Sequence, residues 1–167
     1  MAAKYPARVA SLSLHSAWPK TDPFLAAVVK SWQVMARALG SVAEMVVEGI
    51  FPWCFTPEMY AQRPEFVAAL EDFVRGRPPQ PVVAFLEQTE AVLAHDAEAQ
   101  LGRIVAPTQI TFGRRDLVTS TRFAAALTEA IKDAELLIFE HLSHAGLHED
   151  AEQFNVATLD FLTRQKL

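Results

Sequence analysis

The 167 residues predict an α/β protein built on a parallel sheet, and two observations carry that expectation. Short runs with strand character at residues 8–16, 108–112 and 135–139 alternate with segments whose apolar residues recur at helical spacing. Strands separated by helices of ten or more residues are joined by right-handed crossovers, which makes them parallel. Hydrophobic residues form 51% of the chain and the mean hydropathy is +0.13, enough apolar material for a real core in a compact protein of this length.

The first strand, Arg8 to Ser16, alternates: Val9, Ser11, Ser13 and His15 fall on one side, Ala10, Leu12, Leu14 and Ser16 on the other. Pro19 and Pro23 break the chain before an apolar helix from Phe24 to Leu39, which Gly40 terminates. From Ser41 to Leu101, prolines at 52, 57, 64, 78, 79 and 81 cut a helical pattern into pieces over 41–50, 57–61, 64–75 and 80–99. Helices without strand signal suggest an inserted cap over 41–101, leaving 1–40 and 102–167 as the core. Pro107 opens the second strand, Thr108 to Phe112, closed by Gly113; a helix over 121–132, a third strand from Glu135 to Phe139 and a last helix over 150–164 follow.

Composition removes several function classes. Fifteen Lys and Arg against 20 Asp and Glu give a net charge of −5 with no basic run, which argues against nucleic acid or an anionic membrane surface as partner. The single cysteine, Cys54, cannot form an intrachain disulfide. No apolar run approaches the roughly 18 residues of a membrane span, and no signal-peptide pattern follows Met1. A cytoplasmic protein without a cofactor is expected.

Ligands of open parallel sheets gather at the carboxyl ends of the strands. Two polar clusters fall there: Gly113-Arg114-Arg115-Asp116 after the second strand, and His141 to His148 after the third. A carboxylate and an imidazole on such loops can meet. The carboxylate then accepts the Nδ1 proton, holds the tautomer, and stabilises the imidazolium formed when Nε2 takes a proton. Asp116 can instead be a turn or capping residue, although Thr119 and Ser120 stand nearer the next helix. His144 can be a surface histidine, with His141 and His148 as competitors. The three histidines, with Glu140 and Glu149, also spell H-x2-H-x3-H, but zinc needs three or four converging ligands with supporting partners, and no metal is expected.

The acid cluster sits in Ile104-Val105-Ala106-Pro107-Thr108 through Asp116, which resembles the "I-x-x-P-T-strand-G-x-x-D" acid loop of the α/β-hydrolases. Glu135 to Phe139, Ser143-His144-Ala145, Glu149 and Phe154-Asn155 are similar to that family's histidine loop and final helix. Tyr5-Pro6-Ala7-Arg8-Val9 and Ser11 to Leu14 resemble the segment that follows its nucleophile helix. The resemblance implies a truncated α/β-hydrolase fold of about three parallel strands flanked by helices, with a helical cap. It makes Asp116 the triad acid and His144 the triad base.

The family's nucleophile occupies a Gly-x-Ser-x-Gly elbow. The six glycines here, at 40, 49, 76, 102, 113 and 146, are none of them followed by x-Ser. The chain is expected to start near the end of the elbow's helix, without the early strands. A relocated nucleophile would stand near the carboxyl end of the first strand, so Ser16 is the candidate catalytic serine, ahead of Ser13 and Ser11. Ser143, adjacent to His144, and Cys54, beside Trp53, are weaker candidates. The expected function is a small carboxylesterase-like serine hydrolase acting on small hydrophobic esters, with Phe51, Trp53, Phe55, Phe66 and Phe85 of the cap lining a pocket or simply forming cap core. The alternative is a non-catalytic truncated hydrolase serving as a dimeric binding or scaffold domain. A homodimer is expected through the open edge of residues 8–16 or through the cap helices.

Overall fold

The computed structural model describes residues 1–165. Along the chain run β1 (Leu12–His15), α1 (Pro23–Leu39), α2 (Val42–Met45), a π-helical turn (Val46–Ile50), α3 (Phe51–Cys54), α4 (Pro57–Gln62), α5 (Pro64–Arg75), α6 (Val82–Leu93), α7 (Glu98–Leu101), β2 (Thr108–Gly113), a 3-10 turn (Thr121–Phe123), α8 (Ala124–Ala130), β3 (Glu135–Phe139), α9 (Gly146–Glu149) and α10 (Ala151–Arg164). They divide into two compact units: Met1–Lys20 with the residues from Asp96 onward, and Thr21–His95.

The first unit is built on a three-stranded sheet of order β1-β2-β3, with both pairings parallel. β2 lies in the middle and is buried along its whole length, as a strand covered on both faces must be. Register pairs His15 with Thr111, and Gly113 with Phe139. β1 is shorter than the expected 8–16. Pro6 starts a 3-10 turn over Pro6–Arg8, in which Arg8 N–H donates to the Tyr5 carbonyl and Val9 N–H to that of Pro6, so pairing begins only at Leu12. Ile110, Phe112, Leu127, Ile131 and Phe161 form the buried apolar centre. α10 is tied to the sheet by Gln109, whose Nε2 donates to the Ala157 carbonyl at 3.2 Å, and by the Arg164–Glu135 fork at 3.0 and 2.8 Å.

The second unit is all helical. α1 starts where Asp22 accepts the Leu25 N–H at 2.7 Å and ends at Gly40, whose φ of +63° fits the left-handed stop that glycine provides. α1 packs on α2 and α6, with Trp32 Nε1 donating to the Gly49 carbonyl at 3.2 Å and Gln33 Nε2 reaching Thr89 Oγ1 and Glu90 Oε1, each at 2.8 Å. The helical unit begins at Thr21, and α1, with its buried stripe Leu25, Val29, Gln33 and Ala36, is part of it. α6 stops at Leu93, short of the expected 99, where Thr21 caps it: its hydroxyl donates to the Val92 carbonyl and its N–H to that of His95. Pro52 has no N–H for the Glu48 carbonyl, and the helix passes that point in π register. Phe85 packs on Ala36, Val42 and Met45, and Phe51 meets the buried Phe55 edge-on at 5.3 Å. Those three aromatics serve the unit's own packing, whereas Trp53 stays 51% exposed.

At Gly113 a Cβ would run into the carbonyl oxygens of Leu142 and Ser143. The end of β2 can touch the loop after β3 only because this residue has no side chain. Gly113→Ala is expected to destabilise the protein by about 1–3 kcal/mol, as overpacking against backbone does. Urea denaturation measures it, and a change within error of zero would contradict so tight an approach.

Candidate active site

The loops that follow β2 and β3 are joined by backbone hydrogen bonds. Arg114 N–H donates to the Phe139 carbonyl at 2.9 Å and Arg115 N–H to the Leu142 carbonyl at 3.0 Å, which extends the sheet ladder past its last strand residues. Ser143 Oγ donates to the Arg115 carbonyl at 3.2 Å, and the Glu149 carboxylate accepts the Ser143 N–H. Ser143, 2% exposed, is thus a link between the loops.

This frame brings together Asp116 and His144. His144 Nδ1 lies 2.9 Å from Asp116 Oδ2, with the aspartate side chain fully buried and the imidazole 32% exposed. A buried carboxylate needs hydrogen bonds to stay ionised. Oδ1 accepts the N–H groups of Val118 at 2.7 Å and Thr119 at 3.0 Å; Oδ2 accepts the Thr119 hydroxyl at 3.3 Å as well as His144. Burial pushes the Asp116 carboxyl up, but hydrogen bonding and charge from His144, with help from Ser16 and Val118, outweigh it and hold the carboxyl below its ordinary value. Nε2 of His144 makes no hydrogen bond among the described residues, so the second ring nitrogen is open to a reactant.

Ser16 is 5% exposed and its backbone is left-handed, at φ +48°. Its hydroxyl stands near enough to the Asp116 carboxylate to favour the ionised form but makes no hydrogen bond of good geometry, to the imidazole or to any other group. Ser13 Oγ is 3.5 Å from Gln109 Oε1, Ser11 precedes β1, and Cys54 is buried in the helical unit. His141 and His148 are exposed, and among the described residues no three His, Cys, Asp or Glu side chains are grouped to hold a metal ion.

Two contributors escape sequence reasoning. Thr119, 2% exposed, does not cap the following turn: its hydroxyl lies 3.3 Å from Asp116 Oδ2 and 3.2 Å from His144 Nδ1. Nothing in a single sequence separates that role from capping. His15 lies on β1 with Nδ1 at 2.9 Å from Thr111 Oγ1 and Nε2 at 3.3 Å from the His144 carbonyl. Burial lowers its pKa, against a smaller raising effect of that carbonyl. The alternation of β1 gives only the face on which His15 lies; its partner Thr111 is set by register with β2.

Both shifted groups carry stability that acid removes. Below about pH 6.5 the unfolded chain takes up a proton that folded His15 resists, and below about pH 3.9 the same holds for Asp116. Stability is expected to be full above pH 6.5 and to fall in two stages on acidification, with the lower stage reduced in Asp116→Asn. Chemical denaturation between pH 7 and pH 3 measures this, and stability rising as the pH drops through 6 would contradict it.

No family model matches the chain. It is 31% identical over 163 residues to a protein of Variovorax paradoxus described as a carbamate hydrolase, RutD, covering 95% of this chain and 59% of that one. It is 28% identical over 169 residues to a pimeloyl-[acyl-carrier protein] methyl ester esterase of Chromobacterium violaceum, covering 98% of this chain and 65% of the esterase. The chain thus spans about three fifths of the length of these relatives. Among solved structures, MGS-M2, an α/β hydrolase enzyme from a Medee basin deep-sea metagenome library, superposes with a TM-score of 0.84 at 23% identity, over 99% of this chain and 60% of that one. The parallel sheet, the acid and histidine loops at its carboxyl edge and these likenesses agree: the chain has the α/β-hydrolase fold and is similar to hydrolases of that superfamily.

Proposed function

We propose that this chain hydrolyses small hydrophobic esters, with Asp116 as the orienting acid and His144 as the general base. The observation that carries the proposal is the 2.9 Å contact of a fully buried carboxylate with Nδ1 of an imidazole whose Nε2 is unoccupied. Relatives named for carbamate and methyl ester hydrolysis support it, since both bonds break by attack on a carbonyl carbon. Leu117 and Leu147, 56% and 42% exposed, stand next to Asp116 and three residues past His144, which favours apolar acyl or alkyl groups.

In this mechanism Nε2 of His144 removes a proton from a hydroxyl as its oxygen attacks the ester carbonyl. The C–O bond to the alcohol then breaks, and the proton passes from Nε2 to the departing alkoxide. Ser16, expected as the attacking serine, stands beside the acid; it is assigned the part of a further hydroxyl favouring the Asp116 carboxylate. The attacking hydroxyl at Nε2 is that of water. No described helix is long and apolar enough to cross a membrane, and with a single cysteine this supports a cytoplasmic setting as part of the same proposal.

A second reading, a non-catalytic dimeric binding or scaffold domain, is favoured by β1, whose outer edge pairs with no strand among the described residues. Two copies related by a two-fold axis would pair their β1 strands antiparallel.

Short-chain aryl esters and a fluorophosphonate label, applied to the wild type, His144→Ala and Ser16→Ala, test the first reading. Turnover is expected to fall about 10²–10⁴-fold in His144→Ala and to persist in Ser16→Ala, with no serine labelled. Undiminished turnover in His144→Ala would overturn the proposal, and an adduct mapped to Ser16 would restore that serine as the nucleophile. For the second reading, sedimentation at micromolar concentration is expected to report a dimer, and a monomer would remove it.

A further inference from the structure

His15 is a titratable group that touches the histidine loop from the opposite edge of the sheet without a part in the chemistry just described. Its two ring nitrogens have unequal partners. The His144 carbonyl, 3.3 Å from Nε2, can only accept, so Nε2 carries the hydrogen. In the neutral ring Nδ1 is then an acceptor, and the Thr111 hydroxyl at 2.9 Å donates to it. Burial favours that neutral ring. Thr111 is 1% exposed on the central strand and directly opposite His15 in register, so the hydroxyl that anchors Nδ1 is itself fixed. Phe154 of α10 meets the ring edge-on, with centroids 4.9 Å apart and planes at 85°, which fixes the remaining freedom of the imidazole.

We propose that His15 is a positioning residue for His144: with its Nδ1 anchored on the Thr111 hydroxyl, it donates from Nε2 to the His144 backbone carbonyl and thereby keeps the imidazole on Asp116. His144 follows β3 in a segment without regular structure, and its side chain is held by the acid at one point, Nδ1. A single hydrogen bond fixes the imidazole at one end only. The tie from β1 supplies a second point on the same residue, reached across the end of β2. The consequence for catalysis rests on the function proposed above, whereas the tie itself does not.

The test reads the imidazole directly. In the wild type, nitrogen-15 spectra of the ring should give His15 as a single Nε2–H tautomer and His144 with a slowly exchanging Nδ1 proton. His15→Phe keeps a ring against Phe154 but has no donor; the His144 Nδ1 proton signal is expected to vanish through solvent exchange, and any ester turnover to fall about tenfold or more in kcat with KM unchanged. His15→Gln returns an N–H donor on a side chain of similar reach and is expected to restore the signal. Thr111→Val, nearly isosteric, removes the hydroxyl that anchors His15 Nδ1 and is expected to weaken the His144 signal, so a His15→Phe chain that fails to fold does not end the test. A His144 Nδ1 signal unchanged in folded His15→Phe, or unchanged in Thr111→Val, would overturn the proposal. A wild type without turnover but with these spectral changes would leave His15 as the positioning residue and remove the esterase reading.

Discussion

A carboxylate with no exposed surface has to be surrounded by donors, and the rest of the site follows from how Asp116 is given them. Two come from the backbone that immediately follows it, a third from Thr119, and the fourth is the imidazole of His144. Three of the four are local, so the acid loop largely satisfies itself. The distant donor is the one that carries the chemistry, and it is also the one that demands tertiary structure.

Parallel pairing answers that demand. β2 and β3 run the same way, so the loops that leave them emerge on one side, and the ladder continues into them through Arg114 and Arg115. Gly113 then sets how near the loops come, because any side chain there would strike the Leu142 and Ser143 carbonyls. The exposed pairs Arg114–Glu140 and Arg164–Glu135 lie on the same elements, but solvent-screened bridges of this kind contribute little beside the buried contacts.

Ser16 and His15 show how one strand end takes on several duties. The left-handed turn at Ser16 places a buried hydroxyl beside the acid, and a non-glycine residue in that conformation persists only where its surroundings hold it. The Ser16 N–H donates to the Thr111 carbonyl at 2.9 Å, on the same residue whose hydroxyl meets His15. Thr111 therefore anchors both neighbours from the central strand, where burial on both faces leaves it little freedom.

The amino-acid order by itself determined the class of fold and the three strands in their order along the chain, and it set two polar clusters at strand ends, from which the family resemblance singled out Asp116 and His144. The strands and clusters rest on local chemistry: alternation and apolar spacing, glycine and proline punctuation, and polar residues just past strand ends. β3 matched its expected bounds, and α1 began and ended within a residue of them, because Asp22, Pro23 and Gly40 are signals read without neighbours. Tertiary structure decided what depends on contacts distant in sequence. It gave α1 to the helical unit through Gln33 and Trp32, ended α6 with Thr21, and made Thr119 a partner of the acid in place of a helix cap. It also set Ser16 beside Asp116 and His15 beneath His144, since a side chain's partner across a sheet is fixed by register, and register is a property of two strands together.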